Sequence, residues 1–231
     1  MSIGNPIPTQ GGPKWPLVAS CRVLAAALVV AVSGCTSVSR ATSDAVRLIF
    51  QHPDLTPTPE QVEAVPYPQL MLRSQSLTGV LVLGYVDQGR QAWIGGREAV
   101  YYLEANGLVS GAASPGRSSR IQVLGDDPFQ HLATLQNSVA VLRRYDWMPG
   151  YRYGITVIGQ LHRIGPETVT LPNRTLQLTR YEETLSGPGL SGTNIYWADP
   201  TTGFIWKSRQ YLAPDQVVEI EQLKPYLPKN S

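Results

Sequence analysis

Tyr151-Arg152-Tyr153-Gly154-Ile155-Thr156-Val157-Ile158-Gly159-Gln160-Leu161-His162-Arg163 alternates between apolar and polar side chains. Tyr151, Tyr153, Ile155, Val157 and Leu161 fall on one face, and Arg152, Thr156, Gln160 and His162 on the other. Successive side chains of a strand point to opposite faces, so this period of two predicts a half-buried β-strand with one wet face. Shorter versions of the same pattern lie on both sides. Downstream, residues 167–171 and 174–185 flank the turn pair Pro172-Asn173. Residues 193–198 and 204–212 flank Asp199-Pro200-Thr201-Thr202-Gly203, the sharpest hairpin signal in the chain. Upstream, the runs 80–86, 91–94 and 99–103 each precede a glycine-bearing turn, the last of them Asn106-Gly107. Within this body only residues 129–137 read as helical, with Asp126-Asp127-Pro128 as the turn before them. The pattern predicts a mainly β fold: an antiparallel sandwich or partly open barrel with one N-terminal helix and one short internal helix.

The N-terminal helix is expected over residues 44–51. Thr42 or Ser43 would cap it, Asp44 sits in its first turn, and His52-Pro53 ends it. Five prolines at positions 53, 57, 59, 66 and 68 predict a stiff extended connector before the first strand.

Ahead of this helix, the run Val23-Leu24-Ala25-Ala26-Ala27-Leu28-Val29-Val30-Ala31-Val32 ends in Ser33-Gly34-Cys35. It is too short for the roughly 20 residues that span a bilayer and lacks the amphipathic spacing of a core helix. A short apolar run closed by small residues and a cysteine is a lipoprotein signal. Residues 1–34 would be the signal peptide, cleaved between Gly34 and Cys35, residues 35–42 a lipidated tether, and residues 43–231 a mainly β periplasmic domain. The similar Val18-Ala19-Ser20-Cys21 is rejected because Lys14, Trp15 and Pro16 precede it and cannot enter a membrane as a helix. Acyl chains on Cys35 contribute about 0.8 kcal/mol per buried methylene, so more than one chain makes the anchor lasting. Thr36 is not the aspartate that retains enterobacterial lipoproteins at the inner membrane, which places the anchor in the outer membrane.

The 19 basic and 17 acidic residues give +2, but Lys14 and Arg22 lie in the signal segment, which has no acid. The mature chain is therefore balanced, with no electrostatic case for nucleic acid. Only Cys21 and Cys35 are present, so the mature chain forms no disulfide.

Residues that carry chemistry are sparse. His52, His131 and His162 lack partners at ligand spacing, so neither a metal nor any other cofactor is expected. Gly189-Leu190-Ser191-Gly192 falls short of a nucleophile elbow, and no phosphate-binding glycine motif occurs. The carboxylates Asp126, Asp127, Glu182, Glu183 and Asp199 could serve a glycosidase only as a pair about 5–9.5 Å apart. Glu182 and Glu183 would point to opposite faces of a strand.

Asn194-Ile195-Tyr196-Trp197-Ala198-Asp199-Pro200-Thr201-Thr202-Gly203-Phe204-Ile205-Trp206-Lys207-Ser208-Arg209-Gln210 is followed by Pro214 and by Leu223-Lys224-Pro225-Tyr226. With the signal cysteine, Pro66-Tyr67 and Val80-Leu81-Val82-Leu83-Gly84, this resembles the GfcB/YjbF family of capsule and exopolysaccharide lipoproteins. The likeness spans most of the mature chain, is strongest over the last 40 residues and loosest over 110–120. It implies a non-enzymatic outer-membrane lipoprotein facing the periplasm that assists export or assembly of a capsular or other extracellular polysaccharide. Its implied partners are polysaccharide-secretion proteins and the polysaccharide itself. The family carries over no catalytic residues. Within the motif, Asp199 and Thr202-Gly203 are expected to set a tight turn and Trp197 to face the core. The candidate glycan or partner surface is the 193–212 hairpin, through Tyr196, Trp197, Trp206, Lys207 and Gln210. The alternatives are a lipid or lipoprotein carrier with an apolar concave β face and, third, a polysaccharide-modifying hydrolase.

Overall fold

In the computed structural model, which describes residues 56–96 and 98–227, twelve antiparallel strands each pair with their chain neighbours. They are β1 (Gln69–Ser74), β2 (Thr78–Asp87), β3 (Arg90–Gly95), β4 (Ala99–Leu103), β5 (Val109–Ser114) and β6 (Arg117–Leu124). The second half comprises β7 (Val139–Met148), β8 (Arg152–Leu171), β9 (Arg174–Gly187), β10 (Leu190–Ala198), β11 (Ile205–Ala213) and β12 (Gln216–Lys224). Strand β12 returns to β1, with Leu72 opposite Ile220, and closes the barrel. The expected sandwich or partly open barrel is thus corrected to a closed one. Closure satisfies the two edges that an open meander would expose, and strand tilt lets twelve strands meet.

The hairpins around Pro172-Asn173 and residues 199–203 form as expected, with Leu171 opposite Arg174 and Ala198 opposite Ile205. Strand β8 contains the alternating stretch, and Val157 and Leu161 point into the barrel. Tyr151 and Tyr153 do not: they are 73% and 61% exposed. Trp147 pairs with Arg152 and Tyr145 with Ile155, so Tyr153-Gly154 forms a bulge that shifts the phase. Asp146 Oδ1 pins the bulge by accepting the Gly154 N–H at 2.7 Å.

The helix expected at 44–51, the signal segment and the tether lie outside the described residues. A helix does occur within the proline-rich connector: α1 (Pro59–Ala64). Thr58 and Gln61 form a capping box, and Pro59 enters the first turn, where a missing N–H costs nothing. Val62 packs on Met71, Val80 and Leu223 against the barrel's outer wall. Gln69 Nε2 donates to the carbonyls of Val62 and Val65 at 2.8 and 3.3 Å, satisfying the helix's C-terminal end.

The internal helix is a 3₁₀ segment, Pro128–Thr134, capped by Asp127. Its Phe129 and Leu132 enter a lumenal cluster with Leu108, Val141, Leu161, Tyr181, Tyr196, Ala198 and Ile205, so it plugs one end of the barrel. Toward the other end, Trp93, Tyr101, Tyr145 and Trp147 fill the lumen with Leu70, Leu185, Leu212 and Ile220. The apolar concave face that a carrier requires is therefore occupied by side chains.

Two features extend beyond the wall. The β8–β9 hairpin bends at Gly165, where the register shifts, and continues as an arm over the outside of β10–β12. Val169, Leu171 and Leu178 of the arm pack on Trp197 and Trp206, and Asn173 Nδ2 at its tip donates to the Leu223 carbonyl at 2.9 Å. The β4–β5 turn leans across the plugged end. Ile205 N donates to Asn106 O at 2.8 Å, and Asn106 Nδ2 donates to Phe129 O at 3.0 Å. This lean separates β5 from β6 beyond the Gly111–Arg120 pair. A cavity of about 300 Å³ fills the resulting split, lined among others by Val109, Ser110, Ile121 and Gln122.

Gly107 makes the lean possible, since its φ is +88° and a Cβ there would lie 2.6 Å from Ile205 O. Gly107→Ala should therefore destabilise the protein by about 1–3 kcal/mol, measured by chemical denaturation. A loss of a few tenths of a kcal/mol or less would show that this contact is dispensable.

Candidate functional site

Among the described residues, one charged cluster lies inside the lumen, between the two apolar layers. Arg143 on β7 and Glu183 on β9 form a two-pronged ion pair: Nε to Oε1 at 2.6 Å and Nη2 to Oε2 at 2.9 Å. Tyr196 donates its hydroxyl to Glu183 Oε2 at 2.6 Å, and Asn194 Nδ2 donates to the same oxygen at 3.0 Å. Phe129 of the plug lies 5.0 Å from the Arg143 guanidinium and meets the Tyr196 ring edge-on. Burial opposes the charge of Arg143, but Glu183 and the phenol oxygens of Tyr196 and Tyr145 overcome it and raise its pKa. Burial holds Tyr196 well above the usual phenol value, against the pull of Arg143, and pushes Tyr145 up to about 12. With both members of the ion pair at most 1% exposed, the cluster organises the fold.

The five hairpin residues singled out in the sequence separate onto two faces. Tyr196 and Gln210 are not on the surface. They lie inside the barrel at 0% and 1% exposure, Gln210 donating to Ser208 Oγ at 2.9 Å. Trp197, Trp206 and Lys207 lie on the outer face, so Trp197 does not enter the lumenal core. The cause is the strand period: with Tyr196 inward, Trp197 and its cross-strand partner Lys207 must face outward. Here too the residues are engaged. Trp197 lies between Arg180 and Lys207, 5.7 and 5.5 Å from its ring centre, and Arg174 stacks on Trp206 at 5.2 Å. Lys207 contacts Glu221 at 2.8 Å and Glu219 at 3.2 Å. Burial works against its charge, and these carboxylates raise its pKa in spite of that. Glu221 also binds Arg73, and the two cations lower its pKa despite burial.

Of the carboxylates considered for hydrolysis, Asp126 is exposed in the turn before the plug, Glu183 is the buried ion-pair member, and the other three serve local structure. Asp127 caps the plug through Phe129 N at 3.0 Å. Asp199 accepts the N–H groups of Thr201 and Thr202 at 2.9 and 2.8 Å. Glu182 faces away from Glu183 and pairs with Arg180. Among the described residues no group of three His, Cys, Asp or Glu side chains is placed to hold a metal ion. Gly34 and Cys35 lie outside the described residues.

A cleft of about 510 Å³ opens where the β4–β5 turn, the plug and the β10–β11 turn meet. Ala105, Asn106, Gln130, Asp199, Thr202, Phe204, Trp206 and Leu227 line it. Phe204 and Trp206 pack edge to face with centroids 5.4 Å apart. Sequence reasoning identified Trp206 but treated Asn106, Asp199 and Thr202 as turn residues and gave Gln130 and Phe204 no role. The lining comes from four separated segments, and no spacing rule joins them.

Removing one partner of the buried pair leaves an uncompensated charge in the lumen. Glu183→Ala should cost about 3–5 kcal/mol, while Arg143→Met combined with Glu183→Leu should recover much of the loss; a denaturation double-mutant cycle reads both. If the double variant is as unstable as the single one, the ion pair is not the source of the effect. The Tyr145 phenol, raised from 10.0 to about 12, keeps its proton in the barrel where the unfolded chain would lose it. Its contribution is complete below pH 10 and is lost as pH rises towards about 12, so stability should fall across that window. Tyr145→Phe should make this fall shallower, and an equally steep fall in that variant would contradict the assignment.

The profile described as group 4 capsule polysaccharide lipoprotein GfcB, YjbF, matches residues 42–223. The uncharacterized lipoprotein GfcB of Escherichia coli K12 is 24% identical over 200 residues, covering 84% of this chain and 94% of that protein. The crystal structure of the hypothetical lipoprotein YmcC from Escherichia coli K12 superposes with a TM-score of 0.66 at 24% identity. It covers 75% of this chain and 91% of its own, so the two share a fold. With the profile matched from the segment before the barrel to its last strand, the chain belongs to the YjbF family of group 4 capsule polysaccharide lipoproteins.

Proposed function

We propose that this protein is a non-enzymatic lipoprotein, held in the outer membrane through acylated Cys35 and facing the periplasm. It assists export or assembly of a capsular or other extracellular polysaccharide, docking the polymer, other secretion proteins or both. The observation that carries the reading is how the candidate acids are used: Glu183 is sealed in the lumen, Glu182 is paired outside, and Asp127 and Asp199 hold backbone N–H groups. No two of them are presented as an acid and base across a cleft, while the family membership supplies the link to capsule polysaccharide. The filled lumen counts against a lipid carrier.

Deletion of the gene in the native host should remove most of the polymer from the cell surface while its synthesis continues, assayed by antibody against intact and lysed cells. Cys35→Ser should lose palmitate labelling and fail to restore export. Normal surface polymer in the deletion strain would refute the export role, and shortening of purified polymer by the protein would refute the non-enzymatic one.

A further inference from the structure

The cleft at the plugged end combines aromatic walls with polar atoms that the fold leaves available. Both turn N–H groups go to Asp199 Oδ1, which leaves Oδ2 with lone pairs to accept from a ligand. Gln130 donates through Nε2 to Asp127 Oδ2 at 3.1 Å, which leaves its carbonyl oxygen free to accept. The Thr202 hydroxyl accepts from Phe204 N at 3.3 Å and lies against the Asp199 carboxylate, whose charge it helps to hold. Asn106 is engaged at both ends, by Phe129 O and Leu108 N, and acts by positioning the turn.

We propose that this cleft is a saccharide-binding subsite: Trp206 and Phe204 receive the apolar face of a sugar ring, and Asp199 and Gln130 bind its hydroxyls. The proposal rests on the polysaccharide role above and specifies where the polymer is held. Sugar rings present C–H faces and a rim of hydroxyls, so they need an apolar platform beside a few directed polar groups. The platform is fixed in advance: Arg174 stacks on Trp206, and Phe204 packs at 80° to it. The turn bearing Asp199 and Thr202 is closed by Gly203 N donating to Asp199 O at 2.9 Å and packs on Leu132 and Ala133 of the plug. Little side-chain freedom remains to be lost on binding. The volume, about 510 Å³, suits a short stretch of a chain.

The lining also selects. The backbone N–H groups hold the Asp199 pKa below its usual value despite partial burial, so the group is an ionised acceptor. A carboxylate in that position disfavours an acyl chain, which would strip its water without replacing it. It also repels phosphate or an acidic sugar turned towards it. The favoured ligand is a neutral, hydroxyl-rich segment.

The test uses the full-length lipoprotein in detergent, titrated with oligosaccharides released by partial hydrolysis from the host's own surface polysaccharide and followed by tryptophan fluorescence and calorimetry. Saturable binding is expected, weakened about tenfold or more by Asp199→Asn or Gln130→Ala, each removing a hydrogen bond to ligand. Both variants should melt within a few degrees of the wild type, whereas Trp206→Ala also disturbs the packing under the arm. No binding by the wild type, or binding unaffected by either variant, would overturn the subsite. So would competition for the cleft by palmitate, which would mark it as an acyl site. Expressed in the deletion strain, variants that lose oligosaccharide binding but restore surface polymer would overturn the subsite alone. Loss of binding in a host whose surface polymer never depended on the gene would overturn the export reading alone.

Discussion

Halfway along the lumen a guanidinium and a carboxylate lie side by side, away from water, and the surrounding barrel is arranged to keep them satisfied. An isolated buried charge costs several kcal/mol, and even a pair is tolerated only with good geometry and further hydrogen bonds. Arg143 and Glu183 have both: two parallel contacts, a phenol from Tyr196, an amide from Asn194 and the ring of Phe129. Space for Glu183 comes from Gly159 on the neighbouring strand, where a Cβ would lie 2.2 Å from the carboxylate oxygen. The pair also fixes register. A slip by one residue on β7, β9 or β10 would turn Arg143, Glu183 or Tyr196 to the outside and carry an outward side chain into the lumen.

Around this polar layer the remaining architecture follows. Large side chains fill the lumen above and below it, and the 3₁₀ plug brings Phe129 into direct contact with the charged cluster. Since the plug lies inside the barrel mouth, the turns beside it can fold inward onto it. Asn106 and Gly203 both make that contact, the first by hydrogen bonding and the second by close approach. The end cleft is the space left between these converging turns. The β8–β9 arm packs over Trp197 and against one side of Trp206, and ties its tip to β12.

Function is therefore segregated by face. The lumen is structural, the outer hairpin face is braced by cation–aromatic contacts and ion pairs, and polar groups available to a ligand gather at the plugged end. That distribution suits a protein that holds a polymer or a partner in place, as proposed for this capsule-linked family member.

The sequence alone determined the class of structure. Period-two alternation from Ile155 to Leu161, glycine- and proline-bearing turns and the scarcity of helical periods specify antiparallel strands, since these signals depend only on neighbouring residues. The opposite orientations of Glu182 and Glu183, the turn at Asp126-Asp127-Pro128 and the Asp199 turn were legible for the same reason. The motif at 194–210 gave the family. Closure of the barrel was not legible, because β1 and β12 read like any other pair of strands and their pairing spans the whole chain. The phase slip at Tyr153-Gly154 was hidden because a bulge depends on the partner strand. Tyr196 and Gln210 were grouped with Trp197 as surface residues because adjacency in a motif was read as adjacency on a face. Only the closed barrel decided which side of the wall each residue occupies, and only the convergence of two distant turns on the plug created the cleft. Contacts made by separated segments leave no local pattern to read.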